Sequence, residues 1–175
     1  VDCRETNVIK FIQTVSDFQK PIIANVNGLA IGIGVTILMH CDFVYSTKDT
    51  KFLLPFVNLG LCPEAASSIL IPLNSNMLIA KEKLLLGEPF DPAEALNMGI
   101  VSKIYDTEKE MLETTSETAK KICNLPSSSI SFTKKLINQT FKEMIKNRIL
   151  MEGQKLFELL HSDEAKAAFS KFLKN

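Results

Sequence analysis

Charge of one sign is what this sequence lacks: 20 lysines and arginines face 20 aspartates and glutamates, a formal net charge of +0. That removes the electrostatic footprint of a nucleic-acid binder or of a protein held on an anionic membrane. A small neutral or locally anionic ligand stays open. Histidine is scarce, with only His40 and His161, and the four cysteines, Cys3, Cys41, Cys62 and Cys123, form no CxxC pair. No metal spacing is completed and no disulfide framework is spelled out, so a reduced intracellular protein without a metal is expected. Long apolar runs are missing too. The longest, Gly28 to Met39, is about half of what a bilayer crossing needs, and it carries three glycines. It belongs to a core, and no membrane span is expected. The opening Val1-Asp2-Cys3-Arg4-Glu5-Thr6 has neither a starting Met nor an apolar signal segment. A further N-terminal portion, preceding this chain, is therefore expected.

What is present is a globular composition, 46% hydrophobic and 23% charged over 175 residues, enough for one compact domain with a sizeable core. Val8, Phe11, Ile12 and Val15 recur at helical spacing and predict an amphipathic helix over 7–18, stopped by Lys20-Pro21. Ile22 to Val26 reads as a strand ending in Asn27-Gly28, and Gly34 to His40 as a buried helix. Asp42 to Tyr45 and Lys51 to Leu54 read as short strands with a turn between them. Pro63 suits a first helical position, so a helix is expected from Cys62 or Pro63 toward Leu70, with Glu64 in its first turn. Asp91-Pro92-Ala93-Glu94 is a second helix start, Gly99 its end, and Ile100 to Ile104 a strand. Beyond Glu110 the pattern is helical: 110–123, a break at Leu125-Pro126, a long run over 128–161, and 162–173. Short strands alternating with helices imply an α/β fold of βα units, over 1–110, with a C-terminal helical subdomain over 111–175.

Chemistry has few places to reside. The glycines of Gly28-Leu29-Ala30-Ile31-Gly32-Ile33-Gly34 let backbone approach a ligand and present N–H groups at a helix start. They equally serve tight helix packing, and both readings stay open. A dinucleotide site is excluded, because Ile37 stands where the third glycine belongs and no acid ends a second strand; a phosphate loop lacks its Gly-Lys-Ser/Thr. Glu64 is a lone carboxylate among small and apolar residues, with no Lys or Arg within the following turn. An acid in a helix's first turn is ordinary dipole chemistry, whereas one without a partner is a candidate for titration chemistry. His40, His161, Asp42 and Asp49 read as structural groups. Cys62 at a helix start has no neighbouring histidine to make it a nucleophile. Lys171 and Lys174 are the C-terminal cations available to an anionic ligand.

A set of spaced motifs carries more than any of these alone. Lys20-Pro21-Ile22-Ile23-Ala24-Asn25-Val26-Asn27-Gly28-x-Ala30-x-Gly32-x-Gly34, Cys41-Asp42, Lys51-Phe52, Leu59-Gly60, Gly87, Ala93-Glu94-Ala95 and Gly99-Ile100-Val101 resemble the crotonase (enoyl-CoA hydratase/isomerase) superfamily in order and spacing. The match is close over 18–105 and looser over the helical remainder, with its Ser162-Asp163-Glu164-Ala165-x-x-Ala168-Phe169. The resemblance implies a crotonase-like spiral of ββα units, a C-terminal helical trimerisation subdomain, and a missing N-terminal part that carries the second oxyanion-hole N–H.

The resemblance also selects among the family's reactions. Hydratases place two glutamates around a water, and those positions here hold Thr36 and Phe56; dienoyl-CoA isomerases use an acid at the position of Phe56. The 3,2-enoyl-CoA isomerases use one glutamate in a Pro-Glu-Gly/Ala turn, which Pro63-Glu64-Ala65 matches. Ile33-x-Val35-Thr36 and Leu54-Pro55-Phe56-x-x-Leu59-Gly60 are similar to the peroxisomal branch. The implied roles are Glu64 as proton shuttle, the Ile33 backbone N–H in the oxyanion hole, and Asn7 as a hydrogen-bond partner of the glutamate. Ala30, Gly32, Gly34, Leu54, Pro55, Phe56 and Leu59 then bind substrate. The implied substrate is a fatty acyl-CoA, coenzyme A being part of it and no cofactor or metal being needed. A homotrimer or hexamer follows, with no nucleic-acid partner. The implied compartment is the peroxisome. Lys171-Phe172-Leu173-Lys174-Asn175 is no Ser-Lys-Leu-type address, and mitochondrion and cytoplasm stay open. The alternative is a non-catalytic crotonase-like module that binds acyl-CoA or a protein partner.

Overall fold

Local signals set most element starts. The computed structural model describes residues 3–172. The Thr6 hydroxyl accepts from the Ile9 N–H and caps α1 (Asn7–Ser16), which buries Ile9 and Ile12. There follow β1 (Ile23–Val26), β2 (Leu29–Ile31) and α2 (Ile33–Thr36), which tightens into a 3-10 turn over Ile37–His40. Next come β3 (Phe43–Thr47), β4 (Lys51–Leu53), a 3-10 turn Val57–Leu59 and α3 (Ser67–Asn74). The strand β2 lies inside the glycine cluster, where the sequence reading placed a turn. Only its pairing with β4 makes it a strand, Ala30 lying opposite Phe52.

Two parallel sheets result, ordered β1-β3-β5 and β2-β4. The first is completed by β5 (Lys103–Tyr105), with Ile23 opposite Phe43 and Tyr45 opposite Lys103. Strand, strand, helix therefore occurs twice, as β1-β2-α2 and β3-β4-α3, and the second unit lies on the first with the same polarity. This is one turn of a ββα spiral. The observed strand ends, Thr47 and Tyr105, lie beyond those expected because β3 and β5 pair as far as Thr47 with Tyr105.

The rest of the chain is helical. α4 (Met77–Leu86), which sequence periodicity did not single out, is capped by the Asn76 side chain accepting from the Leu78 and Ile79 N–H groups at 3.0 Å each. α5 (Pro92–Asn97) starts with the expected reciprocal Asp91/Glu94 capping box. α6 (Glu108–Cys123), α7 (Ser127–Gln139), α8 (Lys142–Leu160) and α9 (Asp163–Phe172) follow. The run read as one helix over 128–161 is thus broken at Thr140-Phe141. A single helix of that length would measure about 50 Å; the break lets α8 turn back against α1 and α3. Lys134 on α7 bonds Asp42 at 2.6 Å and the Lys20 carbonyl at 2.9 Å, tying the helical part to the β1–β3 end. No helix among the described residues is long and apolar enough to cross a membrane.

The buried side chains form a main core around Val35, Leu38, Phe52, Leu54, Ile71 and Met98, and a second cluster of Cys3, Ile9, Ile12, Ala65, Ala66, Leu70 and Ile149. Glu64 lies in the chain between Phe56 of the first cluster and Ala65 of the second.

Candidate active site

The residue before a proline is pushed out of the helical region, so Pro63 keeps Cys62 extended. Helix formation nevertheless does not begin at Pro63. Ala65 and Ala66 both adopt left-handed backbone, φ 56° and 59°, and α3 starts only at Ser67. Glu64 therefore stands in an irregular segment ahead of the helix, not in its first turn. Each left-handed alanine costs on the order of 1 kcal/mol or more, so something outside the segment must hold it. The Glu152 carboxylate, from α8, accepts from the Ala66 N–H at 2.6 Å and the Ser68 N–H at 3.1 Å. His40 donates from Nε2 to the Ala65 carbonyl at 2.8 Å, and the Glu64 carbonyl accepts from the Ser67 N–H at 3.0 Å and hydroxyl at 2.6 Å. Burial holds the His40 imidazole below its ordinary pKa, which suits the neutral donor.

This turn presents Glu64 inward, 4% exposed. The Thr36 hydroxyl donates to its Oε1 in a short hydrogen bond, while Oε2 is buried without a partner. Burial lifts the carboxyl pKa to about 7; the Thr36 hydrogen bond opposes that rise and the nearby Glu152 charge adds to it. A carboxyl that titrates near neutrality, with one oxygen held and one unpartnered, can both take and return a proton.

Thr36 and Ile33 share α2, three residues or about 4.5 Å of helix rise apart. Ile33 opens that helix after Gly32, whose φ 56° and ψ −117° suit only glycine. The Gly32 N–H donates to the Leu53 carbonyl at 2.9 Å, locking the start of α2 to β4. First-turn amides have no intrahelical acceptor, so the Ile33 and Gly34 N–H groups are left to partners outside the helix. An added Cβ at Gly34 would meet open space.

The other expected substrate residues divide by burial. Ile33 is exposed and Gly32, Gly34 and Leu59 are half-buried. Ala30, Leu54, Pro55 and Phe56 are buried, and Ala30, Leu54 and Phe56 belong to the main core. Asn7 is exposed at the start of α1, and no hydrogen bond joins it to Glu64 among the described residues; Thr36 holds the carboxylate instead. The Cys62 thiol is pushed up by burial, the opposite of activation. Lys171 is exposed on α9, and Lys174 lies outside the described residues.

Sequence reasoning missed Glu152 and treated Thr36 only as a lost acid, while His40, read as a structural group, is one: it holds the Ala65 carbonyl. A signal for Glu152 existed: it sits at helical spacing with Ile145, Ile149 and Leu156, an acid on the face that must be buried.

Comparisons with known proteins cover most of the chain. The family model described as enoyl-CoA hydratase/isomerase matches residues 2–175. The Rattus norvegicus protein named enoyl-CoA delta isomerase 2 is 37% identical over 141 residues, 78% of this chain and 34% of that protein. The short-chain-enoyl-CoA hydratase of Clostridium acetobutylicum is 27% identical over 164 residues, 94% of this chain and 62% of that one. The chain thus spans from about a third to just under two thirds of these curated relatives. The solved structure of Pseudomonas aeruginosa OdaA aligns with a TM-score of 0.95 and 35% identity, over 98% of this chain and 70% of that chain. The two ββα units and helical C-terminal part are those of the crotonase fold.

Proposed function

Because this chain belongs to the enoyl-CoA hydratase/isomerase family, we propose that the protein isomerises 3-enoyl-CoA to 2-trans-enoyl-CoA with Glu64 as the only acid/base. Glu64 Oε2 takes a proton from carbon 2 of the acyl thioester. The electron pair released becomes the carbon 1–carbon 2 double bond of a dienolate, and the carbonyl π pair moves onto the thioester oxygen. That charge is met by the Ile33 backbone N–H, in the manner of an oxyanion hole. The proton then returns from Oε2 to carbon 4 on the same face, and the double bond stands between carbons 2 and 3. Coenzyme A is part of the substrate, and no cofactor takes part.

The observation that carries this reading is the state of Glu64: buried, with Oε1 held by Thr36, Oε2 unpartnered, and a pKa of about 7. What favours isomerisation over hydration is the count of usable acids. Thr36 spends its hydroxyl on Glu64 and Phe56 is core. Glu152 is a second carboxylate nearby, but both its oxygens accept hydrogen bonds from Ala66 and Ser68. Hydration in the two-acid manner needs a second carboxylate at the water, and among the described residues none stands free beside Glu64. The same proposal takes half-buried Gly32, Gly34 and Leu59 and buried Ala30, Leu54, Pro55 and Phe56 as the residues that bind the substrate. Assembly as a homotrimer or hexamer belongs to the same proposal, to be read by analytical ultracentrifugation.

The test is to incubate the full-length protein with trans-3-hexenoyl-CoA and follow the absorbance of the conjugated 2-enoyl-CoA, and separately to supply 2-hexenoyl-CoA and look for hydration. Conjugation without hydration is expected, and its loss in Glu64→Gln. An inactive wild type that still binds the thioester would turn the assignment to a non-catalytic module.

A further inference from the structure

We infer that Glu152 is a positioning residue for Glu64: reaching from α8, its buried carboxylate holds the left-handed turn that aims the catalytic carboxylate at Thr36 and the substrate. The inference rests on the isomerase reading of the site. Its premise is the energetics of α3. The first amides of a helix need acceptors, normally a Ser, Thr, Asp or Asn side chain at the N-cap. Here the N-cap is Ala66, in left-handed backbone and without a side-chain acceptor. The need is met from 86 residues downstream: one Glu152 oxygen takes the Ala66 N–H at 2.6 Å, and the other takes the Ser68 N–H at 3.1 Å and its hydroxyl at 2.5 Å. The Ser68 hydroxyl in turn accepts from Arg148 Nη1 at 3.1 Å, one helical turn before Glu152.

Two further features show that this contact is built. Glu152 is only 7% exposed, and a buried carboxylate is retained only where hydrogen bonds offset its desolvation. Its neighbour Gly153 lets α8 lie against α1, since a Cβ there would come 2.6 Å from Ile9 Cδ1. The groups around the pair are Thr36 on α2, His40 on the following 3-10 turn, Cys62 on the connecting loop, Ser67 and Ser68 on α3, and Arg148 on α8. α1 contributes apolar Ile9 and Ile12. Among the described residues Arg148 is the cation whose charge acts on Glu152, and none acts on Glu64. The Glu152 charge works against ionisation of Glu64 while its hydrogen bonds fix where Glu64 stands.

The experiment compares wild type, Glu64→Gln, Glu152→Gln and Glu152→Ala of the full-length protein. It records kcat and KM for trans-3-hexenoyl-CoA from pH 5 to 9, thermal unfolding, and the titration of Glu64 by carboxyl carbon NMR. Glu152→Gln keeps one acceptor and drops the charge, so a modest fall in kcat is expected, with KM unchanged and the acid limb moved to lower pH. Glu152→Ala should lose about 10- to 100-fold in kcat, the scale of a misplaced catalytic group. Partial rescue by Gln, with the shifted limb, separates positioning from general stability. Wild-type kcat and an unmoved limb in both variants would overturn the inference while leaving the function intact, provided Glu64→Gln is dead. If the wild type does not isomerise the substrate, the function fails, and the NMR titration decides the inference: an unchanged Glu64 midpoint in Glu152→Gln overturns it. Loss of the folded state in both variants would also overturn it, in favour of a purely structural role.

Discussion

Glu64 carries the residue-scale argument because its state is set by a balance: burial raises its pKa, the Thr36 hydroxyl lowers it and Glu152 raises it again. A base must be ionised to act, so kcat/KM should rise with pH along a limb centred near 7. Glu64→Gln should lower kcat by about 10² to 10⁴, the usual worth of a general acid–base group. Thr36→Val removes the hydrogen bond that favours the charged form, so the limb should move up. The same ionisation acts on stability. Glu64 has its folded pKa above the unfolded 4.5, so its contribution is fully present below pH 4.5 and is lost as pH rises through about 7. The neutral Glu64→Gln variant should therefore gain on wild type with rising pH, by on the order of 3 kcal/mol, measured by urea unfolding at pH 5 and pH 8. A stability difference that stays constant with pH, or a wild type that gains on the variant as pH rises, would contradict the burial argument. The glutamate itself was legible in sequence as a lone acid among apolar neighbours. Its partner was not, because Thr36 is 28 residues away.

At the scale of elements, caps and breakers were readable and contacts were not. Asp91-Pro92-Ala93-Glu94 started a helix as its local chemistry required. Pro63 carried a start signal without a capping residue before it and no helix began there, since Glu152 draws the Ala66 and Ser68 amides into a different geometry. β2 was invisible because three residues among glycines become a strand only beside β4. The 3-10 turn bearing Leu59 ends at Gly60, with φ 69°, and a Cβ there would come 3.0 Å from the Ala165 backbone on α9. Gly60→Ala thus combines backbone strain with a clash against main chain. It should destabilise by more than about 1 kcal/mol, seen as a lower Tm. Unchanged unfolding would mean that α9 does not rest on this turn.

For the whole molecule, the question is what binds the helical part to the spiral. Lys134 and Asp42 form a pair whose side chains are 10% and 24% exposed, and Asp42 also accepts from the Ile22 N–H at 2.7 Å. Removing the cation leaves a partly shielded carboxylate with one partner fewer. Lys134→Met should cost about 1 kcal/mol and speed hydrogen exchange in α7; unaltered exchange there would show that the pair is not a tie. The sequence by itself determined the family, the strands β1, β3, β4 and β5 and the capped start of α5, because each is written in residues within a few positions of one another or in motifs of fixed spacing. Only the tertiary structure decided where α3 begins, which oxygen of Glu64 is held, and that its carboxyl titrates near neutrality. Desolvation and the remote groups Thr36 and Glu152 set those features, and burial is a property of the packed molecule that no stretch of sequence contains.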